Sequence, residues 1–394
     1  MSRRGKVRIG FTTGSSATAA AKAGVLFLVR GVRPKRVDIP CPEGHVRLVV
    51  RLESLEVEAS PADERMVRVT VRKQAGDDPD ATHDAAISAR VHLEPWPRPE
   101  VVVRGGKGVG TVTRPGLPVP VGRAAINPGP LRQIRRALLE TLEQLGCVVR
   151  VHVLVEVPRG EELATRTLNP RLGIVGGISI LGTRGTVKAF SHAAWKETII
   201  QCLDVARAEG LDTVALSTGG RGQRFLETVL PRLPRAAFIQ AGDHPGFAMR
   251  QAARRGMRKV IWGGFWGKLV KMAQGRPQTH ARLFAVNLPG LADLAADSGV
   301  ERDAIEKIVR ANTAREALDI LRGTDRFAVA TWEVLVRALG HCRVWSRPKG
   351  SLGGSLWGRA SVDVELILLD YDGQVLHRTE HKASISTESH PTSA

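Results

Sequence analysis

The chain has 394 residues, 43% hydrophobic and 25% charged, which suits a folded protein with room for two domains. Its formal net charge of +19 favours an anionic partner: nucleic acid, an acidic membrane surface, or a small molecule with several carboxylates. Four scattered cysteines (Cys41, Cys147, Cys202, Cys342) without a C-x-x-C pair argue against a disulfide framework or zinc site, and no apolar run reaches membrane-spanning length.

Aromatic residues make up 4% of the chain, with one tyrosine, and the basic residues form no long block. Stacking platforms for single strands are therefore not expected, nor is nucleic acid as partner. A polycarboxylated substrate suits arginine forks, beside the plain reading of a solvated basic surface. Arg3, Arg4 and Lys6 precede the apolar run Ala17–Val29 in the manner of a signal peptide. Thr12–Ser16 and Lys22 interrupt that pattern, and the expected location is the cytoplasm.

Phe11-Thr12-Thr13-Gly14-Ser15-Ser16 leads into an alanine-rich helix, Ala17 to Arg30, stopped by Gly31 and capped by Ser15 or Ser16. The hydroxyls and free N–H groups at its start form a candidate anion site, with simple capping as the alternative. Val46–Leu52, Arg65–Lys73 and Ala86–Leu93 alternate as strands of an α+β domain. Between the last two, Ala75–His83 (AGDDPDATH) gathers Asp77, Asp78 and Asp80 beside His83. Carboxylates so clustered raise one another's pKa or hold a cation. The calcium-loop pattern is absent, and no metal is expected.

Arg104–Leu117 reads as a glycine-rich hairpin turn around Lys107. Ala125–Pro130 (AINPGP) precedes a helix from Leu131 to Leu145, stopped by Gly146. Cys147–Val157 is an unbroken apolar strand, expected to be buried on both faces. Leu168–Ser191 then packs Gly173, Gly176, Gly177, Gly182 and Gly185 around Ser179 and Thr183. Such glycines let backbone N–H groups cradle a phosphate or carboxylate ahead of a helix, read here from His192 to Glu209. They equally allow two backbones to pack closely. Neither common nucleotide fingerprint is present.

Thr213–Ser217, Ala236–Gln240 and Arg258–Trp262 are short apolar runs, each followed by a loop and a helical pattern, which implies a parallel sheet. Their loops, Thr218–Gly222, Ala241–Gly246 and Gly263–Lys268, fall at its carboxyl edge, where open α/β folds bind ligands. Helical patterns continue to Gly340 with breaks near Gly299, Asn312 and Gly323. Val362–Asp370 and Gln374–His377 read as a closing hairpin. The expected organisation is an α+β domain over 1–157, an α/β domain with a mainly parallel sheet over 158–345, closing strands over 346–382, and a disordered tail over 383–394.

Several motifs occur in one order: Gly10–Gly14, AGDDPDATH, Gly106–Pro118 (GKGVGTVTRPGLP), AINPGP, Asn169–Thr183 (NPRLGIVGGISILGT), Gly242–Phe247 and Gly267–His280 (GKLVKMAQGRPQTH). Over roughly residues 8–380 this series resembles the cobalt-precorrin-5B C1-methyltransferase family, CbiD. The resemblance implies a CbiD-like fold, S-adenosylmethionine as donor, a polycarboxylated cobalt-tetrapyrrole acceptor and methylation at C1. The sequence departs from the family pattern at Ser16, at Phe265 and in Thr218–Gly222. In-line methyl transfer depends mainly on positioning, and a helping base would be a carboxylate or histidine, with Asp78, Asp77 and His83 the candidates. The donor is expected on Gly173, Gly176, Gly177, Ser179, Thr183, Thr218, Gly219, Gly220, Gly242 and Asp243. The acceptor is expected on Thr12, Thr13, Ser15, Lys107, Asn127, Arg171, Lys268 and His280. A homo-oligomer is left open.

Overall fold

The computed structural model describes residues 8–58, 65–189, 191–347 and 362–379. Helices and sheets are mixed, and the chain separates into two compact units, Met1–His192 and Ala193–Ala394. The division falls later than the boundary at 157 read from the sequence, because the glycine-rich stretch adds its short strands to the first unit.

In that unit β1 (Gly10–Phe11) leads to α1 (Thr13–Arg30), followed by β2 (Arg36–Pro40), β3 (Arg47–Arg51), β4 (Ser54–Glu58), β5 (Met66–Arg72) and β6 (Ala86–Pro95). Then come β7 (Glu100–Gly105), β8 (Gly108–Val109), β9 (Thr111–Val112), α2 (Pro128–Leu145), β10 (Val149–Glu156) and α3 (Gly160–Ala164). β11 (Ile174–Val175), β12 (Gly177–Ile178) and β13 (Thr186–Val187) complete the unit. The main sheet has the order β4-β5-β6-β10-β7, with β10 antiparallel to β6 and parallel to β7. Helices α1 and α2 pack on one face. The alanines of α1 follow from that closeness: a Cβ on Gly24 would lie 2.7 Å from Val91 Cγ2.

Two local expectations are corrected here. Strand β10 alternates instead of being buried twice over, since Val151, Val153 and Val155 enter the core while Arg150, His152 and Leu154 lie on the outer face. The segment around Lys107 is no hairpin. β8 pairs in parallel with β12 and β9 antiparallel with β11, so both partners come from the glycine-rich stretch.

The second unit carries α4 (His192–Ala208), β14 (Thr213–Ser217), α5 (Gly220–Val229), β15 (Phe238–Gln240), α6 (Pro245–Arg254), β16 (Lys259–Phe265) and α7 (Trp266–Ala273). There follow α8 (Leu288–Asp297), α9 (Arg302–Arg310), α10 (Ala314–Arg322), α11 (Phe327–Trp345), β17 (Asp363–Leu369) and β18 (Val375–Arg378). The sheet order is β15-β14-β16-β17-β18, parallel except for β18. Val214, Leu216, Val260, Trp262, Leu366 and Leu368 face a large helical core, while Ala215, Ile261, Ile367 and Leu369 face α5. Burial on both faces explains why these strands read as continuous apolar runs. The chain leaves β14 toward β15 and leaves β16 toward β17, so the order reverses between β14 and β16, the point where such sheets open a crevice. The stretch 383–394 lies outside the described residues.

Candidate functional site

Thr12 caps α1, its Oγ1 accepting the Ser15 N–H at 3.2 Å, so the cap lies earlier than Ser15 or Ser16. The remaining polar groups there are consumed by the chain itself. Thr13 Oγ1 donates to Leu181 O at 3.2 Å and accepts the Leu181 N–H at 2.9 Å. Ser15 Oγ donates to Gly185 O at 2.8 Å, Gly14 N to Leu181 O at 3.2 Å, and Thr12 N to Gly185 O at 3.1 Å. Thr12, Thr13 and Ser15 are buried. The loop 179–185 thus occupies the place where an anion was expected.

The glycines of that stretch are explained by close approach. A Cβ on Gly177 would sit 2.1 Å from Gly108 O, and one on Gly182 (φ 138°) 2.4 Å from Thr12 Oγ1. Gly173 packs on Arg114 with φ 72°, whereas Gly176 and Thr183 are exposed. Asn169 staples the stretch: its Nδ2 donates to Gly177 O at 3.1 Å, and Ser179 Oγ donates to its Oδ1 at 3.3 Å. Asn169-Pro170 reads in the sequence as an extended or turn entry to this stretch, and the side-chain staple is what folding adds. Asn127 begins α2 with its side chain unused as a cap. Lys107 is exposed and Arg171 half-buried.

In the acidic loop Asp77 and Asp80 are held down rather than pushed up. Asp77 is held below the usual range by the Arg8 backbone N–H and then the Arg8 guanidinium, at 2.8 and 2.9 Å. For Asp80, burial raises the pKa but the Lys73 ammonium at 2.6 Å and the Thr82 donors outweigh it. His83 Nδ1 accepts the Ala75 N–H at 3.0 Å, so the neutral ring carries its proton on Nε2 and is a donor, not a base. Asp78 stands at the tip, its N–H reaching Ala75 O at 3.4 Å.

The outer face of the first unit's sheet holds a cleft of about 300 Å³ lined by Met66, Arg90, His92, Arg104, His152 and Leu154. Of its lining groups, Arg90 lies 3.0 Å from Glu58 and His152 Nε2 2.7 Å from Glu94.

In the second unit the residues expected at the donor site gather at the carboxyl edge of the parallel strands. Gly219 caps α5, and a Cβ on it would meet nothing within 4 Å. The first-turn N–H groups of Gly220, Arg221 and Gly222 have no acceptor among the described residues. The neighbouring loop turns on Gly242 (φ 58°), where a Cβ would strike the Trp195 indole at 2.4 Å. Asp243 pairs with Lys268 and accepts Thr279 Oγ1 at 2.9 Å. Burial raises its pKa, but Lys268 and Thr279 outweigh that and hold its carboxyl below the usual range. His280 follows in the same cluster, its Nδ1 accepting the Arg282 N–H at 3.2 Å.

The third expected loop, Gly263–Lys268, is not a loop. Gly263 pairs with Ser217 and Ile367, β16 runs on to Phe265, and α7 starts at once. Phe265 stacks on Tyr371 with ring centroids 5.3 Å apart, and the Arg221 guanidinium lies over Phe265 at 5.7 Å. Among the described residues no three His, Cys, Asp or Glu side chains group to hold a metal, and no described helix is long and apolar enough to cross a membrane.

The CbiD family model matches residues 1–189, and the model of the CbiD C-terminal domain matches 278–380. A protein of Geobacillus sp. (strain WCH70), named cobalt-precorrin-5B C(1)-methyltransferase, is 41% identical over 91% of this chain and 98% of its own length. A protein of the same name from Nitratidesulfovibrio vulgaris is 45% identical over 88% of this chain and 89% of its own. The crystal structure of the cobalamin biosynthesis protein CbiD from Archaeoglobus fulgidus is 26% identical, covers 70% of this chain and 82% of its own, and gives a TM-score of 0.37. With identity at this level along nearly its whole length, the chain belongs to the CbiD family.

Proposed function

We propose that S-adenosylmethionine is the methyl donor and a cobalt-bound, polycarboxylated tetrapyrrole the acceptor. The chain is a methyltransferase, acting on C1 of cobalt-precorrin-5B in anaerobic cobalamin biosynthesis. The observation that carries this is the 41% identity over 91% of the chain, which spans both compact units. Carbon attacks the sulfonium methyl in line as the S–CH₃ bond breaks, and S-adenosylhomocysteine leaves. Such a step needs two partners held in register more than it needs a protein nucleophile.

The donor is assigned to Thr218, Gly219 and Gly220 at the carboxyl edge of the second unit's sheet, where a Cβ on Gly219 would meet nothing within 4 Å and Gly242 turns the adjacent loop. The α5 N-terminus suits the polar edge of that ligand. Exposed Lys107 and half-buried Arg171 are assigned to acceptor carboxylates. Asp78 is assigned as the helping base; Asp77 is the weaker base, because Arg8 holds its carboxyl below the usual range, and His83 Nδ1 already accepts the Ala75 N–H. The reaction of two small soluble molecules is placed in the cytoplasm.

Incubation with S-adenosylmethionine and cobalt-precorrin-5B, followed by mass spectrometry, tests the reading. A product heavier by one methyl substitution, with an equal amount of S-adenosylhomocysteine, is expected. Absence of turnover under anaerobic conditions would sink it. Asp78→Asn with unaltered turnover would remove the base assignment alone.

A further inference from the structure

Two lysines on successive turns of α7 converge on one carbonyl oxygen. Their i,i+3 spacing places Lys268 and Lys271 on a common face, and each Nζ lies 3.2 Å from Thr279 O. The carboxylate in this cluster, Asp243, is already bound by Lys268 and the Thr279 hydroxyl. Lys271 therefore has one hydrogen bond for three ammonium donors. It is 6% exposed, and among the described residues no carboxylate comes within ion-pair distance of it. Its pKa is drawn down by burial and then by repulsion from Lys268, with Asp243 opposing.

A covered cation without a counter-ion is costly unless something supplies the missing charge. The first unit deals with its covered lysines differently: Lys73, fully buried, has Asp80 at 2.6 Å, and Lys22 has Asp38 at 3.1 Å. Here the cluster holds two ammoniums and one carboxylate, Asp243, which pairs with Lys268, and a second carboxylate would restore balance. The cluster lies at the carboxyl edge of the parallel strands, beside the Ala241–His244 loop, and its Lys268 and Asp243 side chains are 28% and 24% exposed.

We propose that Lys271, together with Lys268, holds a carboxylate of a bound reactant. This rests on the methyltransferase reading, in which both the donor's methionyl group and the acceptor's side chains offer that chemistry. The site is a binding device and takes no part in bond making.

Lys271→Met, which keeps the length and removes the charge, tests it against Lys271→Arg. The probes are S-adenosylhomocysteine, its analogue lacking the carboxylate, and the acceptor. If the donor supplies the group, wild type prefers S-adenosylhomocysteine over the analogue by about 30-fold, and Lys271→Met binds both alike. If the acceptor supplies it, Lys271→Met keeps that preference while KM for acceptor rises about tenfold at nearly constant kcat. Lys271→Arg retains part of the effect in either case. A folded Lys271→Met protein with wild-type affinity for both reactants overturns the proposal. Should wild type bind neither reactant, the methyltransferase reading falls, and thermal stabilisation by succinate decides on Lys271. Stabilisation of wild type but not of Lys271→Met supports the site; an equal response of the two overturns it.

Discussion

Helices α1 and α5 begin on similar sequences, Thr12-Thr13-Gly14-Ser15 and Thr218-Gly219-Gly220-Arg221, the first read as an anion site and the second as part of a ligand-binding edge. At α1 the N–H groups and hydroxyls are taken by Leu181 and Gly185 of the same chain. At α5 the first-turn N–H groups have no acceptor among the described residues, and the space beside Gly219 is open. The same local chemistry is satisfied within the chain in one place and lacks an acceptor among the described residues in the other. What separates them is the loop 179–185, whose glycines let it reach the α1 terminus.

The sharpest way to break this contrast is Gly182→Ala. Its φ of 138° excludes a side chain, and the new methyl would lie 2.4 Å from buried Thr12 Oγ1. Strain and overpacking together should cost about 4 kcal/mol, read by denaturant unfolding. A loss below about 1 kcal/mol would mean that the loop does not fill the helix terminus tightly.

Asp80→Asn comes next, because it strands the fully buried Lys73, and about 3 kcal/mol should be lost at neutral pH. The native Asp80 pKa is lowered, so its stabilisation is present above the unfolded value near pH 4 and disappears as pH falls through the folded value. The variant should therefore show a flatter decline of thermal midpoint below about pH 4 than wild type. An unchanged slope would show that Asp80 does not carry that linkage.

Gly219→Ala tests the open terminus. With an extended backbone at φ 175° and nothing within 4 Å of the added methyl, stability should stay within about 0.5 kcal/mol. Affinity for S-adenosylhomocysteine should fall about tenfold, which is about 1.4 kcal/mol, by calorimetry. Full affinity would remove this edge from the donor site. The smallest effect belongs to Thr12→Ala, which deletes the α1 cap and should cost about 1 kcal/mol. KM for both substrates should not move; a changed KM would return Thr12 to the binding surface.

Much of the architecture was legible because local patterns carry it. Gly31 and Gly146 stop their helices in left-handed conformations at φ 67° and 61°. The runs at 213, 238 and 259 read as parallel strands because burial on two faces leaves little polar residue among them. The Gly263–Lys268 loop was misread because strand and helix follow without a connection, and glycine there serves packing: a Cβ on Gly263 would meet Leu226 at 2.3 Å. Asp77 and Asp80 read as a mutually repelling cluster because their cations, Arg8 and Lys73, lie on neighbouring segments that only folding brings close.

By itself the sequence determined the element order, the parallel core and the family, since propensity, periodicity and motif order are properties of the chain read along its length. Only the tertiary structure decided which glycine-rich segment is packing and which borders open space, and which lysine lacks a counter-charge. Those outcomes depend on groups distant in sequence: Leu181 against Thr13, Asp80 against Lys73, and Thr279 drawing Lys268 and Lys271 to one oxygen. Partnership of this kind is set by three-dimensional proximity, which no local pattern encodes.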